Sequence, residues 1–268
     1  MFKKHITLII FSSLMITACK TEYGTLMKSS DSEAIIKGAQ KFYDAGKYQK
    51  ASDLLGHVTP MVLGQPNQKE VMYLGAQTAF ADENYDLAAI RYKSYYESYR
   101  IAKDSLAEKA LFMAGKSAYL ATPAYNLDQS GAADANDLVQ TFINRYPNSK
   151  YVSEANTFIE DLRAKEERKA YETAMSYYKT GFYKSSSVSF QNFVENFPDS
   201  KSCENAYLHL MRSRTELAIN SFEELKKTRL QDATVTYKRF VKLYPKSSYL
   251  NEVERLNNQV VKELEKYK

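Results

Sequence analysis

Phe190-Gln191-Asn192-Phe193-Val194-Glu195-Asn196-Phe197-Pro198-Asp199-Ser200-Lys201 carries a helix and its stop signal in twelve residues. Phe190, Phe193, Val194 and Phe197 stand at i, i+3, i+4 and i+7, the spacing of one face of an amphipathic helix. Pro198 cannot continue that helix and biases Phe197 away from the α region. Asp199 and Ser200 then offer side-chain oxygens that can cap a second helix. The segment therefore predicts a helix, a joint and another helix.

The same pattern recurs along the chain. Tyr92-Tyr95-Tyr96-Tyr99, Val139-Phe142-Ile143-Tyr146 and Tyr237-Phe240-Val241-Tyr244 repeat the apolar spacing, and Ala51-Leu54-Leu55-Val58 is a weaker copy. Successive copies lie 41, 47, 51 and 47 residues apart, a period that marks stacked supersecondary units. Tyr146-Pro147-Asn148-Ser149-Lys150 and Tyr244-Pro245-Lys246-Ser247-Ser248 repeat the stop signal. A second joint aligns Gly46-Lys47-Tyr48-Gln49-Lys50-Ala51, Glu83-Asn84-Tyr85-Asp86-Leu87-Ala88 and Gly181-Phe182-Tyr183-Lys184-Ser185-Ser186. In this joint Gly or Asn is expected to supply the left-handed cap. The small residue three after Tyr lets two helices approach closely.

These joints resemble the tetratricopeptide repeat, as do Leu74-Gly75 and Gly115-x-x-x-Tyr119, although the chain has no Trp and its periods exceed 34 residues. The resemblance implies an all-α, right-handed superhelix, an α-solenoid of about five tetratricopeptide-like helix pairs. Helices are expected at 33–45, 48–58, 69–81, 86–99, 104–120, 131–146, 151–180, 183–197, 203–219, 230–244 and 249–267, with a break or bend near Arg163–Arg168. No stretch alternates at period two long enough for a strand. The division is read as 33–150, an N-terminal repeat arm, and 151–268, a C-terminal repeat arm.

Composition agrees with this reading. The 268 residues include 22 Tyr and 13 Phe but only 9 Gly and 6 Pro, below average usage of about 7 % and 5 %. So few breakers exclude a loop-rich β protein, collagen and a disordered linker. Two Cys exclude a disulfide-stapled scaffold, and three His leave little for a His-built metal site.

The N-terminus reads as an address. Lys3 and Lys4 precede an apolar run from Ile6 to Ile16, too short for the roughly 20 residues of a spanning helix and suited to a signal-peptide core. Ile16-Thr17-Ala18-Cys19 resembles a bacterial lipobox, with Ile where Leu is usual. That resemblance implies a signal peptide over 1–18 and a diacylglyceryl Cys19 as lipid anchor. Lys20 rather than Asp favours the outer membrane on the periplasmic side, and 19–32 reads as a polar tether. Loss of residues 1–18 lowers the formal charge from +5 to +3, which leaves little support for nucleic acid as a partner.

No catalytic constellation is apparent. Cys203 and His209 share a predicted helix but stand six residues apart, on different sides; Cys203 reads as a buried thiol. His57 reads as a helix C-terminal dipole partner. There is no Gly-rich phosphate loop, HExxH or GxSxG. The run Lys165-Glu166-Glu167-Arg168-Lys169 mixes signs and reads as a solvated face. The chain is expected not to be an enzyme, with no cofactor and no metal. The aromatic ladder is expected to pack between helices rather than stack on ligands. The last stripe, Val253, Leu256, Val260, Leu264 and Tyr267, reads as a solenoid cap.

Phe142-Ile143-Asn144-Arg145-Tyr146-Pro147-Asn148-Ser149-Lys150-Tyr151, Ala174-x-x-Tyr177-Tyr178-x-x-Gly181-x-Tyr183, the segment 193–201 and Thr122-Pro123-x-x-x-Leu127-Asp128-Gln129 are similar to the BamD family over roughly residues 33–245. The resemblance implies a non-catalytic outer-membrane lipoprotein of the β-barrel assembly machinery. Its implied partners are a POTRA-containing barrel subunit, nascent outer-membrane proteins and, through the lipid anchor, the membrane. Tyr43, Tyr73 and Gln77 are candidate groove residues for an extended or helical peptide. A loop over Asn220–Arg229, together with the last helix, is expected to face a partner. The alternatives are a Tol–Pal-linked division coordinator, which tends to carry a coiled coil before its repeats, and a glycan-binding lipoprotein, against which the absence of Trp counts.

Overall fold

The computed structural model describes residues 21–101 and 106–267. Every regular element among them is helical. In chain order they are α1 (Glu22–Leu26), α2 (Ser32–Asp44), α3 (Tyr48–Val58), α4 (Gln68–Ala81), α5 (Tyr85–Tyr99), α6 (Ala107–Ala121), α7 (Ser130–Arg145), α8 (Val152–Lys179), α9 (Tyr183–Asn196), α10 (Cys203–Ile219), α11 (Glu223–Leu243) and α12 (Leu250–Leu264), with 3-10 turns at Thr59–Val62 and Glu265–Tyr267. Each helix packs chiefly on its sequence neighbours, so the all-α, tetratricopeptide-like stacking expected from the repeats is the fold.

Two kinds of joint generate the stacking. At the first, the helix ends in a residue with positive φ: Gly46 at 69°, Glu83 at 58° and Gly181 at 78°. Around each, two backbone bonds close the last turn. Gly46 N–H donates to the Tyr43 carbonyl and Lys47 N–H to Phe42; Glu83 and Asn84 repeat this toward Phe80 and Ala79, and Gly181 and Phe182 toward Tyr178 and Tyr177. These are Schellman caps, which satisfy carbonyls that a helix end leaves unpaired. The left-handed residue of the middle copy is Glu83, not Asn84. Asn84 is instead the N-cap of α5, its side chain accepting from Leu87 N–H. The small residues that follow, Ala51, Ala88 and Ser186, have no exposed surface.

At the second joint the constant part is the serine. Tyr151 N–H donates to Ser149 Oγ at 3.2 Å, Ser202 N–H to Ser200 Oγ at 2.9 Å and Tyr249 N–H to Ser247 Oγ at 3.0 Å. Ser149 and Ser200 also donate to Glu108 and Glu167, each on the helix that opens the same pair. The proline stop thus doubles as a pin between two helices.

The apolar faces lie where the spacing put them. Tyr92, Tyr95, Tyr96, Phe142, Phe190, Phe193, Val194, Phe197 and Phe240 are buried. Gly115 faces Val139 so closely that a Cβ would approach the Val139 backbone at 3.3 Å. Small residues on one helix thereby receive the large residues of the next.

The chain divides into two compact units, 1–122 with 131–158, and 123–130 with 159–268. The seam falls inside α8, after Phe158. That helix runs unbroken from Val152 to Lys179, so the expected break near Arg163–Arg168 is absent. It contains no Gly or Pro to cause one, and Lys165 pairs with Asp161 one turn back at 3.4 Å. In the second unit, the loop 123–130 is tied to α8: the Arg168 guanidinium lies 3.9 Å from the Tyr125 ring centroid and Lys169 Nζ donates to the Leu127 carbonyl at 2.8 Å.

Two further departures concern the ends. The stretch expected as a polar tether contains α1, whose Tyr23, Leu26 and Met27 pack on the core of α2, α3 and α4. The loop expected at Asn220–Arg229 is mostly helix, because α11 begins at Glu223. Its first turns, Glu-Glu-Leu-Lys-Lys-Thr-Arg, lack an apolar period but carry acidic residues at the positive end of the helix dipole.

Glu83 gives a direct test of the Schellman joint. A left-handed conformation costs an L-residue about 1–2 kcal/mol that glycine escapes, and the lower entropy of the unfolded non-glycine chain offsets part of it. Glu83→Gly is expected to stabilise by about 1 kcal/mol, raising the melting temperature by about 2–4 °C. A lower melting temperature in calorimetry would contradict this account of the joint.

Candidate functional site

Tyr43, Tyr73 and Gln77 come together in the first unit. With Phe80, Tyr92 and Met113 they line a cavity of about 190 Å³ between α2, α4, α5 and α6. Tyr43 reaches it from the last turn of α2, while Tyr73, Gln77 and Phe80 lie on one face of α4 at i, i+4 and i+7. Lys109, near the start of α6, adds the cationic edge. The walls are rigid aromatics. Tyr73 meets Tyr92 edge-on at 5.8 Å and Tyr95 at 5.0 Å, and Tyr95 meets Tyr99 at 4.9 Å.

The phenols here are held neutral. Burial pushes the Tyr43 and Tyr92 hydroxyls above the usual phenol range, and neighbouring Tyr48 and Asp44 for Tyr43, and Tyr73 and Tyr43 for Tyr92, push the same way. The cavity thus presents phenol hydroxyls, one carboxamide, the Lys109 side chain and ring faces, which can hold a partner's side chain by hydrogen bonds and apolar contact. Among the described residues no group of His, Cys, Asp and Glu could hold a metal ion.

The second unit ends in a different surface. The stripe on α12 packs inward: Val253, Leu256 and Val260 are buried, and Leu264 and Tyr267 lie against the same core. Arg212 fixes α12 to α10 through paired bonds to Glu252 at 2.7 and 2.8 Å, which holds the Glu252 carboxyl below its usual range. α12 is therefore the cap of the stack, and its apolar stripe is already covered. Among the exposed apolar side chains of this unit, Phe222 at the start of α11 is the most open at 83 %, with Leu225 half-exposed one turn on. Lys226 is paired with Glu263 at 3.7 Å, and Tyr267 Oη donates to Glu223 at 2.5 Å, so this end of α11 is pinned to the last turns of the chain.

The remaining sequence candidates have structural roles. The Cys203 thiol is buried and donates to the Phe197 carbonyl at 2.9 Å, and burial pushes its pKa up. His57 Nε2 lies 3.1 Å from the Ser29 carbonyl, tying the segment after α1 to the end of α3. His209 is sandwiched, stacked on Phe190 at 5.5 Å and edge-on to Tyr178 at 4.8 Å. Cys19 lies outside the described residues.

A family model described as YfiO, outer membrane lipoprotein, matches residues 28–166 and again 163–267. The chain belongs to this family. The two matched spans together take in both compact units, and the description associates the chain with the outer membrane. No curated protein matches the chain significantly. No helix among the described residues is long and apolar enough to cross a membrane.

His209 makes the second unit acid-sensitive. Burial, with the Arg212 charge, lowers its pKa from 6.5 to about 4. The neutral ring is the folded form, so its full contribution is present above pH 6.5 and is lost as pH falls from there toward 4. The loss amounts to about 3 kcal/mol. His209→Phe is expected to flatten this part of the stability profile in urea titrations between pH 7 and 4. An unchanged profile would refute the assignment.

Proposed function

We propose that this chain is a non-catalytic, periplasm-facing scaffold of the outer-membrane β-barrel assembly complex, a BamD-type lipoprotein anchored through acylated Cys19. The observation that carries the reading is membership of the YfiO outer membrane lipoprotein family across both units. It is supported by a fold whose conspicuous sequence features are spent on packing helices, which leaves surfaces rather than chemistry to do the work.

In this reading the two surfaces divide the task. The Tyr43–Tyr73–Gln77 cavity receives segments of nascent outer-membrane proteins. Such segments alternate apolar and polar side chains, and a site offering ring faces beside neutral hydroxyls and one amide suits both. The start of α11 contacts a POTRA domain of the barrel-forming subunit. Phe222 is the anchor there: a large, rigid aromatic exposed on a helix end that is itself held in place, the kind of residue that dominates interface energetics.

Capture of the tagged full-length protein in mild detergent is expected to recover a large POTRA-containing barrel protein. Phe222→Asp should reduce that recovery at least tenfold without lowering the melting temperature, because this side chain is already in water. Recovery of Tol–Pal components alone would overturn the assignment. Cys19→Ala is expected to abolish acyl labelling and release the protein from the membrane; labelling that survives the change would defeat the anchor.

A further inference from the structure

Residues 21–27 are not free chain. α1 is fastened to the first helix pair at four points. Tyr23 Oη donates to Asp53 at 2.8 Å. Lys41 Nζ donates to both Glu22 carboxylate oxygens at 2.8 Å. The Tyr23 ring meets Phe42 edge-on at 6.0 Å, and Lys50 Nζ lies 5.5 Å and 5.8 Å from the two ring centroids. Leu26 occupies the space that a side chain at Gly38 would need. Thr21 caps α1, its side chain accepting from Gly24 N–H.

This geometry fixes where Thr21 stands on the first helix pair. Glu22 and Tyr23 lie against Lys41, Phe42, Lys50 and Asp53, which flank the α2–α3 turn. Leu26 lies against Gly38, and Ser29 against His57 at the far end of α3. α1 therefore runs back along the pair, starting at the α2–α3 turn. Cys19 is two residues before Thr21, a reach of about 7 Å at full extension.

We propose that the α2–α3 turn of the first unit lies against the phospholipid surface, with α1 as a rigid bracket between the lipid anchor and the first helix pair. The proposal rests on acylation of Cys19. Charge favours this turn over its neighbour. Lys41, Lys47 and Lys50 surround the α2–α3 turn and are balanced there by Glu22, Asp44 and Asp53, and Lys20 follows the anchor in sequence. The α4–α5 turn carries Asp82, Glu83 and Asp86. It lies on the same edge, because Tyr43 near the end of α2 and Phe80 near the end of α4 line one cavity. An anionic headgroup layer admits the charge-balanced first turn and repels the acidic second. The first pair is thus held at the membrane and the second tilts away, with the peptide cavity between them.

The test uses the full-length acylated protein in vesicles of phosphatidylethanolamine with phosphatidylglycerol. A donor dye is placed at Gln49→Cys on the α2–α3 turn or at Glu33→Cys at the opposite end of the pair, and a headgroup-labelled lipid is the acceptor. Transfer is expected to be at least twofold stronger from position 49 than from position 33. A ten-residue Gly-Ser spacer inserted between Lys20 and Thr21, which leaves the fold intact, should erase the difference, as should Tyr23→Ala with Leu26→Asp. Equal transfer from both sites in protein that floats with the vesicles would overturn the inference while leaving the anchor standing. Protein that fails to float would overturn the anchor and, with it, the inference.

Discussion

The interaction on which the structure depends is the burial of one apolar face per helix against small residues of the neighbouring helix. Among the described residues, one pair closes on the next: Phe190 on α9 stacks on His209 of α10 at 5.5 Å, and Ser186 Oγ on α9 lies 2.9 Å from Ser213 Oγ of α10. Burying an aromatic or branched side chain contributes about 1.5–3 kcal/mol, and each joint must place its helices closely enough to collect it. The Schellman caps and the serine pins serve that end. They contribute little individually, but without them the aromatic faces would not meet.

That division of labour explains the composition. Tyr and Phe are abundant because they fill space between long helices, and the phenol hydroxyls reach polar atoms at the edge, as Tyr171 does with Asn205. Pro is scarce because it serves almost wholly as punctuation, and of the nine Gly only Gly46, Gly64 and Gly181 turn the chain at positive φ. Most of the chain's chemically suggestive residues are absorbed in the same way. Cys203, His57 and His209 are each held by backbone or aromatic neighbours. A protein built like this acts through what its surfaces hold, and the family to which it belongs points to the outer membrane as the place.

The cavity residues show how far sequence reading reaches toward a site. Tyr43, Tyr73 and Gln77 could be picked because they lie on the first helices of their pairs, which face inward in stacked repeats. Phe80 shares their face of α4 and was within reach of the same reasoning; Met113 was not, because it enters the cavity from α6 and nothing local distinguishes it from other apolar helix residues. Phe222 was hidden for a related reason. Its segment lacks periodicity, so it reads as loop, yet the pairs Lys226–Glu263 and Tyr267–Glu223 hold it as helix from the other end of the unit.

The sequence by itself determined the helices, their joints and the faces they bury, because apolar spacing, proline stops and small residues are local signals that repeat. It also carried the lipobox and the family's motifs. Only the tertiary structure decided the rest. It placed the left-handed residue at Glu83 rather than at Asn84, because the cap position is set by where α4 ends and not by which residue tolerates it best. It joined α8 across the expected break, since nothing in that stretch interrupts the backbone ladder. And it packed α1, within the stretch read as a tether, onto the first helix pair, because Tyr23 and Leu26 find their partners some 10 to 30 residues further on, at Gly38, Phe42 and Asp53. Contacts of that range leave no trace in local periodicity, and they are what position this protein's surfaces.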